Sequence, residues 1–474
     1  MMNSIRDDKQ IKRADNRYRP VDERVKDFEE IEQYLTPNER QEQAQRCMDC
    51  GVPFCHWGCP TGNLIPEWQE KLHHGDWKSA YELLQRTINF PEFTGRLCPA
   101  LCEPPCVVEI NGQAVTIRAN ERAIIEHAFK AGYVQPKPPL FRTGKKVAVI
   151  GSGPAGLACA DTLNKFGHTV TLYEAAEAVG GYLRYGIPDY KLEKHIIDRR
   201  VDLLIEEGLQ IETGVSVGID ITASQLKEEF DAICMAIGAR VPRDLKVPGR
   251  ELDGIHFAVD YLTQQNMLLA GHEIEPGDRM TAANKDVVVV GGGDTGADCV
   301  GTAIRQGAKS VRQLEILPSP PENREPNNPW PLWPRIFRTA SSHEEGCERY
   351  FSTTTRQFQG KNGRVEKLIT AQVEWQPTAN GGYQMGEVPN SKGEFSAELV
   401  LLAMGFIHVQ KEGLVADLGL ELSPRGSIVV NDQMMTSDEK IFAAGDACRG
   451  PSLIVWGIQE GRLAAEQINR YLCG

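Results

Sequence analysis

Seven of the chain's thirteen cysteines fall between Cys47 and Cys106, as Cys47-x2-Cys50-x4-Cys55-x3-Cys59-Pro60 and then Cys98-x3-Cys102-x3-Cys106. Thiolates at this density bind metal, because a cytoplasmic chain does not keep its cysteines as structural disulfides. A four-thiolate zinc site uses four of the seven and leaves three without a role. Two [4Fe-4S] clusters use all seven, but they need eight ligands. One ligand must then be another residue type, or one iron stays open. The other six cysteines are scattered singly through apolar or small-residue contexts and read as inert core residues.

A second chemistry lies downstream. Lys145-Lys-Val-Ala-Val-Ile-Gly151-Ser-Gly153-Pro-Ala-Gly156 reads as a strand, a G-x-G-x-x-G turn and a helix start. Gly151 makes the tight turn, Gly153 lets the backbone approach a pyrophosphate, and Gly156 lets helix and strand pack closely. The next strand ends at Glu174, 23 positions after Gly151, where a ribose hydroxyl is expected. The same grammar returns in Asp286-Val-Val-Val-Val-Gly291-Gly-Gly293-Asp294-Thr295-Gly296, with a following strand that reaches Glu315. Two such sites suggest one dinucleotide passing electrons to another. Glu315 suits the 2′-hydroxyl of NADH, whereas Lys309, Arg312 and Arg324 are cations available to the 2′-phosphate of NADPH.

These sites need elements to hold them. Thr36-Pro37-Asn38-Glu39 is a capping box that starts a helix running towards Cys47, and a further helix is expected over 119–131. Residues 135–139, QPKPP, read as a stiff linker, and from Lys145 short β-branched strands alternate with helical stretches, implying parallel sheets covered by helices. The Pro/Asn/Trp-rich stretch 318–334 is too irregular for a regular element, and His73-His74 reads as a surface pair. Bulk properties narrow the class. A formal charge of −13 over 474 residues argues against nucleic acid. The longest core-like run, 399–406, is far too short for a bilayer, and the first ten residues, MMNSIRDDKQ, lack the apolar stretch of a secretory signal. The expected location is the cytoplasm.

Gly180-Gly181-Tyr-Leu183-Arg-Tyr-Gly-Ile-Pro188 and Ile441-Phe-Ala-Ala-Gly445-Asp446-Ala resemble segments of two-dinucleotide-domain flavoproteins of the glutathione-reductase type. The resemblance implies that the first glycine turn holds FAD, with Gly181 and Leu183 beside it and Asp446 on the ribityl chain. It places NAD(P)H at the second turn, in an inserted domain bordered by strand-to-linker turns at Gly238 and Gly405. The expected architecture is α/β: a mainly helical iron–sulfur domain over 1–140, an FAD-binding domain over 141–280 and 406–474, and an NAD(P)H-binding domain over 281–405. The two nucleotide domains are Rossmann-like, the second inserted in the first.

The Cys59-Pro60 ending is similar to ferredoxin runs. The whole order of parts closely resembles the small subunits of bacterial glutamate synthases, in CMDCGVPFC (47–55), NLIPEW (63–68), NFPEFTGRLCP (89–99), GGGDTGADC (291–299) and PSLIVW (451–456). The resemblance implies one cluster on Cys47, Cys50, Cys55 and Cys106, and another on Cys59, Cys98, Cys102 and Glu121. It implies NADPH as the usual donor and hydride transfer that needs no side-chain acid or base. It also implies a large partner subunit, carrying FMN and a further cluster, that forms glutamate from 2-oxoglutarate and glutamine. The same cysteine module opens dihydropyrimidine dehydrogenase and a transhydrogenase subunit. A ferredoxin–NAD(P)H oxidoreductase or transhydrogenase subunit is therefore an alternative, and a zinc-stabilised scaffold is a third.

Overall fold

The computed structural model describes residues 11–378 and 381–474, so the MMNSIRDDKQ segment lies outside the described residues. The capping box forms as its chemistry requires. The Thr36 hydroxyl accepts from the Glu39 N–H, the Glu39 carboxylate accepts from the Thr36 N–H, and the helix Pro37–Gln45 follows. The helices Ile65–His73, Trp77–Leu84, Pro91–Leu97 and Ile117–Lys130 are the longer ones of the rest of the N-terminal part. Their apolar faces bury Trp68, Leu72, Ala80, Leu84, Ile124 and Ile125 in one core. Residues 135–139 have no regular structure, and His74 is exposed beside Glu70.

The β-branched runs become two parallel sheets. The first has the order Ile441–Ala443, Ala232–Met235, Lys146–Ile150, Thr169–Glu174, Gln210–Thr213. Val147, Val149, Val170 and Leu172 are fully buried, as strands covered on both faces must be. The second has the order Glu348–Tyr350, Ser310–Leu314, Asp286–Val290, Leu399–Leu402, Ile255–Phe257. Two short strands, Val241–Pro242 and Phe406–His408, pair antiparallel where the chain passes between the two units. Residues 255–269, expected with the first unit, sit with the second. Ile255 pairs in parallel with Val400, and the helix Ala258–Leu269 packs on the helix Asp294–Arg305. The chain thus crosses near 241–242 rather than near 280. An antiparallel sheet over 353–396 joins the second unit, and the stretch 318–334 is irregular.

The N-terminal part is welded to the first sheet. Phe90 and Phe93 enter that sheet's own core. Glu92 meets Arg200 in a bidentate pair at 2.5 and 3.1 Å with both side chains buried. A buried pair with both hydrogen bonds made fixes orientation more than it adds stability. Removing either partner would strand a charge.

Candidate cluster and dinucleotide sites

The N-terminal helices bring the seven cysteines and Glu121 to two cavities. The first is lined by Cys47, Cys50, Cys55 and Cys106, with Phe54 and Ile65 among its apolar walls. The second is lined by Cys59, Cys98, Cys102 and Glu121. Two glycines make this possible. A Cβ on Gly58 would lie 2.8 Å from the Leu101 carbonyl oxygen, so the two cysteine-bearing turns touch there. A Cβ on Gly95 would lie 2.8 Å from Cα of Arg122, so the helices Pro91–Leu97 and Ile117–Lys130 cross in contact. Cys98 ends the first of those helices and Glu121 rides the second, which is why they share a wall. Neither glycine stood out in the sequence, because their role is a contact between distant segments.

Glu121 is buried, held by the Thr94 hydroxyl and, at 3.4 Å, by the Asn63 side-chain N–H. Burial pushes its carboxyl up to about 7. Burial likewise pushes the Cys55 and Cys98 thiols up to about 12, and Cys102 well above its ordinary value. None of the thirteen cysteines forms a disulfide. Thiols kept protonated by an apolar wall exchange their protons for a cationic centre when one binds. The donor sets, four thiols and three thiols with a carboxylate, each suit a four-iron cluster. Of the other six cysteines, Cys159, Cys234 and Cys299 lie in the core as expected. Cys347 and Cys448 are only half-buried and Cys473 is exposed, so these three do not lie in the core.

The first glycine turn forms at the C-terminal edge of the first sheet. Gly151 has φ +99°, and a Cβ there would meet the Ala236 carbonyl oxygen at 2.5 Å. At Gly156 a Cβ would overlap the Gly151 carbonyl oxygen, whereas at Gly153 it would meet nothing within 4 Å. That opening is the place where a pyrophosphate would rest against the helix Pro154–Lys165. Glu174 accepts from the Ser152 N–H at 3.1 Å, from the Ser152 hydroxyl and from the Ala176 N–H. Gly181 closes on the same turn, its Cβ position 3.0 Å from Cα of Gly153. Leu183 is buried, its side chain in the first sheet's core together with Ala155 of the turn. Gly445 has φ +70° and donates its N–H to Glu460. Asp446 accepts from the N–H and hydroxyl of Ser452, while burial pushes its carboxyl up to about 6.

The second turn repeats the first. A Cβ on Gly291 would meet the Ala403 carbonyl oxygen at 2.2 Å, one on Gly296 would meet the Gly291 carbonyl oxygen at 2.3 Å, and Gly293 is open. Asp294 and Thr295 begin the helix Asp294–Arg305. Glu315 accepts from the Gly292 N–H at 2.9 Å and from the Leu317 N–H at 2.9 Å, the counterpart of Glu174. Two of the cations considered for a 2′-phosphate lie elsewhere. Lys309 pairs with Asp286 at the far end of the strands, and Arg312 pairs with Glu348. Gly238 and Gly405, at φ +68° and +79°, make the turns that lead into and out of the second unit.

Among solved structures, FprA of Mycobacterium tuberculosis matches at 18% identity with a TM-score of 0.56, over 69% of this chain and 85% of that one, a likeness of fold. Residues 145–461 match the family model of pyridine nucleotide-disulphide oxidoreductases. Residues 24–133 match dihydropyrimidine dehydrogenase domain II, 4Fe-4S cluster. The protein is therefore a pyridine-nucleotide oxidoreductase with an N-terminal iron–sulfur domain. Its relatives narrow the class further. A glutamate synthase [NADPH] small chain of M. tuberculosis is 49% identical over 96% of this chain and 93% of its own. That of Bacillus subtilis is 44% identical over 98% and 97%. The glutamate synthase [NADH] of Schizosaccharomyces pombe is 43% identical over 99% of this chain but 23% of its own length. The chain belongs to the glutamate synthase small-chain family.

Proposed function

We propose that this chain is the NADPH-oxidising small subunit of a glutamate synthase, with FAD resident at the first glycine turn, NADPH at the second and a [4Fe-4S] cluster in each cavity. The division of labour follows the fold: residues to about 140 for the clusters, the first sheet for FAD, and the inserted second sheet for NADPH. When bound, the flavin supplies hydride acceptance and release of single electrons. The chain's residues bind and orient. Ser152, Glu174 and the open face of Gly153 would frame the FAD, and Asp446 would offer a carboxylate to its ribityl chain. No side-chain acid or base enters.

The observation that carries this reading is Val455. It lines the Glu121 cavity, yet it belongs to the helix Ile454–Cys473, which begins two residues after Ser452, the residue bonded to Asp446. Asp446 is thus tied through Ser452 to the start of a helix that lines the second cavity, which makes that cavity the first stop for electrons from the flavin and the other cavity the next. Electrons would leave in that order, for a large subunit that carries FMN and a further cluster and makes glutamate from 2-oxoglutarate and glutamine.

One variant tests the ligand sets. Glu121→Ala, purified without air, should alter one cluster's electron paramagnetic resonance signal and leave the other's unchanged. Two unchanged signals would remove Glu121 as a ligand; no iron in the parent protein would remove the clusters altogether. A second reading, NADH as donor, rests on Glu315, whose carboxylate stands at the ribose corner of the second turn.

A further inference from the structure

The two cavities differ in what surrounds their thiols. Apart from its cysteines, every residue lining the first is apolar, Met48, Phe54, Ile65, Val108 and Val115 among them. Among the described residues lining the second, Arg118 is the one cation. It is the second residue of the helix Ile117–Lys130, about one turn before Glu121, and it lies within electrostatic reach of Glu121 and of Cys98. The side chain is half-buried and fixed at both ends of its guanidinium. Nη1 donates to the Arg96 carbonyl at 2.8 Å and Nη2 to the Glu32 carboxylate at 3.2 Å, while the backbone N–H donates to Glu103 at 3.1 Å.

The counter-charge behind Arg118 is shared. Glu32 also pairs with Arg122, Glu30 pairs with Arg96 and Arg122, and Glu126 pairs with Arg96 and Arg199. Four arginines thus divide three carboxylates, which leaves this network one positive charge in excess. Glu103, an anion within electrostatic reach of Cys102, is itself paired with Arg13 at 2.8 Å. A four-iron cluster on four anionic ligands becomes more negative when it takes up an electron, and its potential follows the net charge and solvation around it. A fixed cation in the wall therefore favours the reduced state. A wholly apolar wall favours the less charged, oxidised state.

We propose that Arg118 is a positioning residue for electron transfer, its charge raising the reduction potential of the cluster in the second cavity above what the ligands and the rest of the wall would set. The inference rests on the clusters proposed for the two cavities. The test is a redox titration of the flavin-loaded full chain, purified without air and poised with mediators down to the limit of titanium(III) citrate. Electron paramagnetic resonance follows both clusters. Arg118→Gln removes the cation, Arg118→Lys keeps it, and Glu32→Gln removes the anion that opposes it. Iron, flavin and thermal midpoint are measured for each.

In Arg118→Gln one cluster's reduction equilibrium should fall about tenfold or more, which is about 59 mV for one electron, and the other's should move less. Arg118→Lys should stay near the parent value, and Glu32→Gln should shift the same cluster upwards. Opposite signs are the signature of charge, since mere disturbance of the helix would move both glutamine variants the same way. Unchanged potentials, or a Lys variant that matches Arg118→Gln, would overturn the role of Arg118 and leave the clusters in place. So would an iron-replete parent in which one cluster stays oxidised throughout. A parent protein without iron would overturn the clusters themselves, and the role of Arg118 with them.

Discussion

The two glycine turns are built alike and covered differently. Each has a glycine pressed on a neighbouring strand's carbonyl, an open central glycine, and a strand-end glutamate that accepts a backbone N–H from the turn. At the first turn Ser152, Ala155 and Glu174 are buried. The C-terminal helix lies across it so closely that a Cβ on Gly461 would be 2.2 Å from the Ala155 carbonyl oxygen. At the second, Gly293 and Asp294 are exposed and Glu315 is partly so. One backbone device therefore occurs in two settings. A covered turn suits a cofactor that stays, and an open one suits a coenzyme that must come and go between turnovers.

The largest effect expected from this contrast comes from a valine at each open glycine. Gly153→Val has room to fold and should lose nearly all flavin. Gly293→Val should keep flavin and lose reduction by NAD(P)H. Absorbance at the flavin bands before and after anaerobic NADPH addition measures both, and full flavin in Gly153→Val would break the comparison. A smaller effect separates Ser152 from its counterpart Gly292. The Ser152 hydroxyl both donates to Glu174 and accepts from the Gly180 N–H at 3.0 Å. Ser152→Ala should then cost about 1–3 kcal/mol, the range for a buried donor left unpaired, read from the denaturant midpoint. A change near zero would mean that the serine adds nothing to the covered turn.

The smallest effect concerns pH. In the flavin-free chain burial holds the Asp446 carboxyl up at about 6, above the ordinary value of about 4. Between those values the folded state binds more protons than the unfolded one, so stability falls as pH rises from about 4 to about 6 and levels off above. Asp446→Asn should remove that slope, which urea titrations at several pH values would detect. An identical slope in the variant would show that Asp446 is solvated, and that the first turn is less covered than the geometry indicates.

Much of the fold could be read along the chain because its signals are local. The capping box at Thr36, the two strand–glycine–helix runs and the irregular stretch 318–334 each depend on residues a few positions apart. The sheet partner of Ile255 could not be read that way. Three residues of β-branched and aromatic texture pair wherever a free edge is offered, and that edge belongs to Val400. The same limit hid the ion pairs of Lys309 with Asp286 and of Arg312 with Glu348, since each cation meets its partner through the sheet.

By itself, then, the sequence specified the chemistry available: seven thiols at metal-binding density and two dinucleotide turns with their acidic strand ends. The tertiary structure decided which donors stand together. Cys106 joins Cys47 from 59 positions away, and Glu121 joins Cys59 from 62, because helices cross at Gly95 and turns touch at Gly58. Spacing along a chain constrains only neighbours, whereas a site with four corners is closed by packing between segments whose separation in sequence carries no such information.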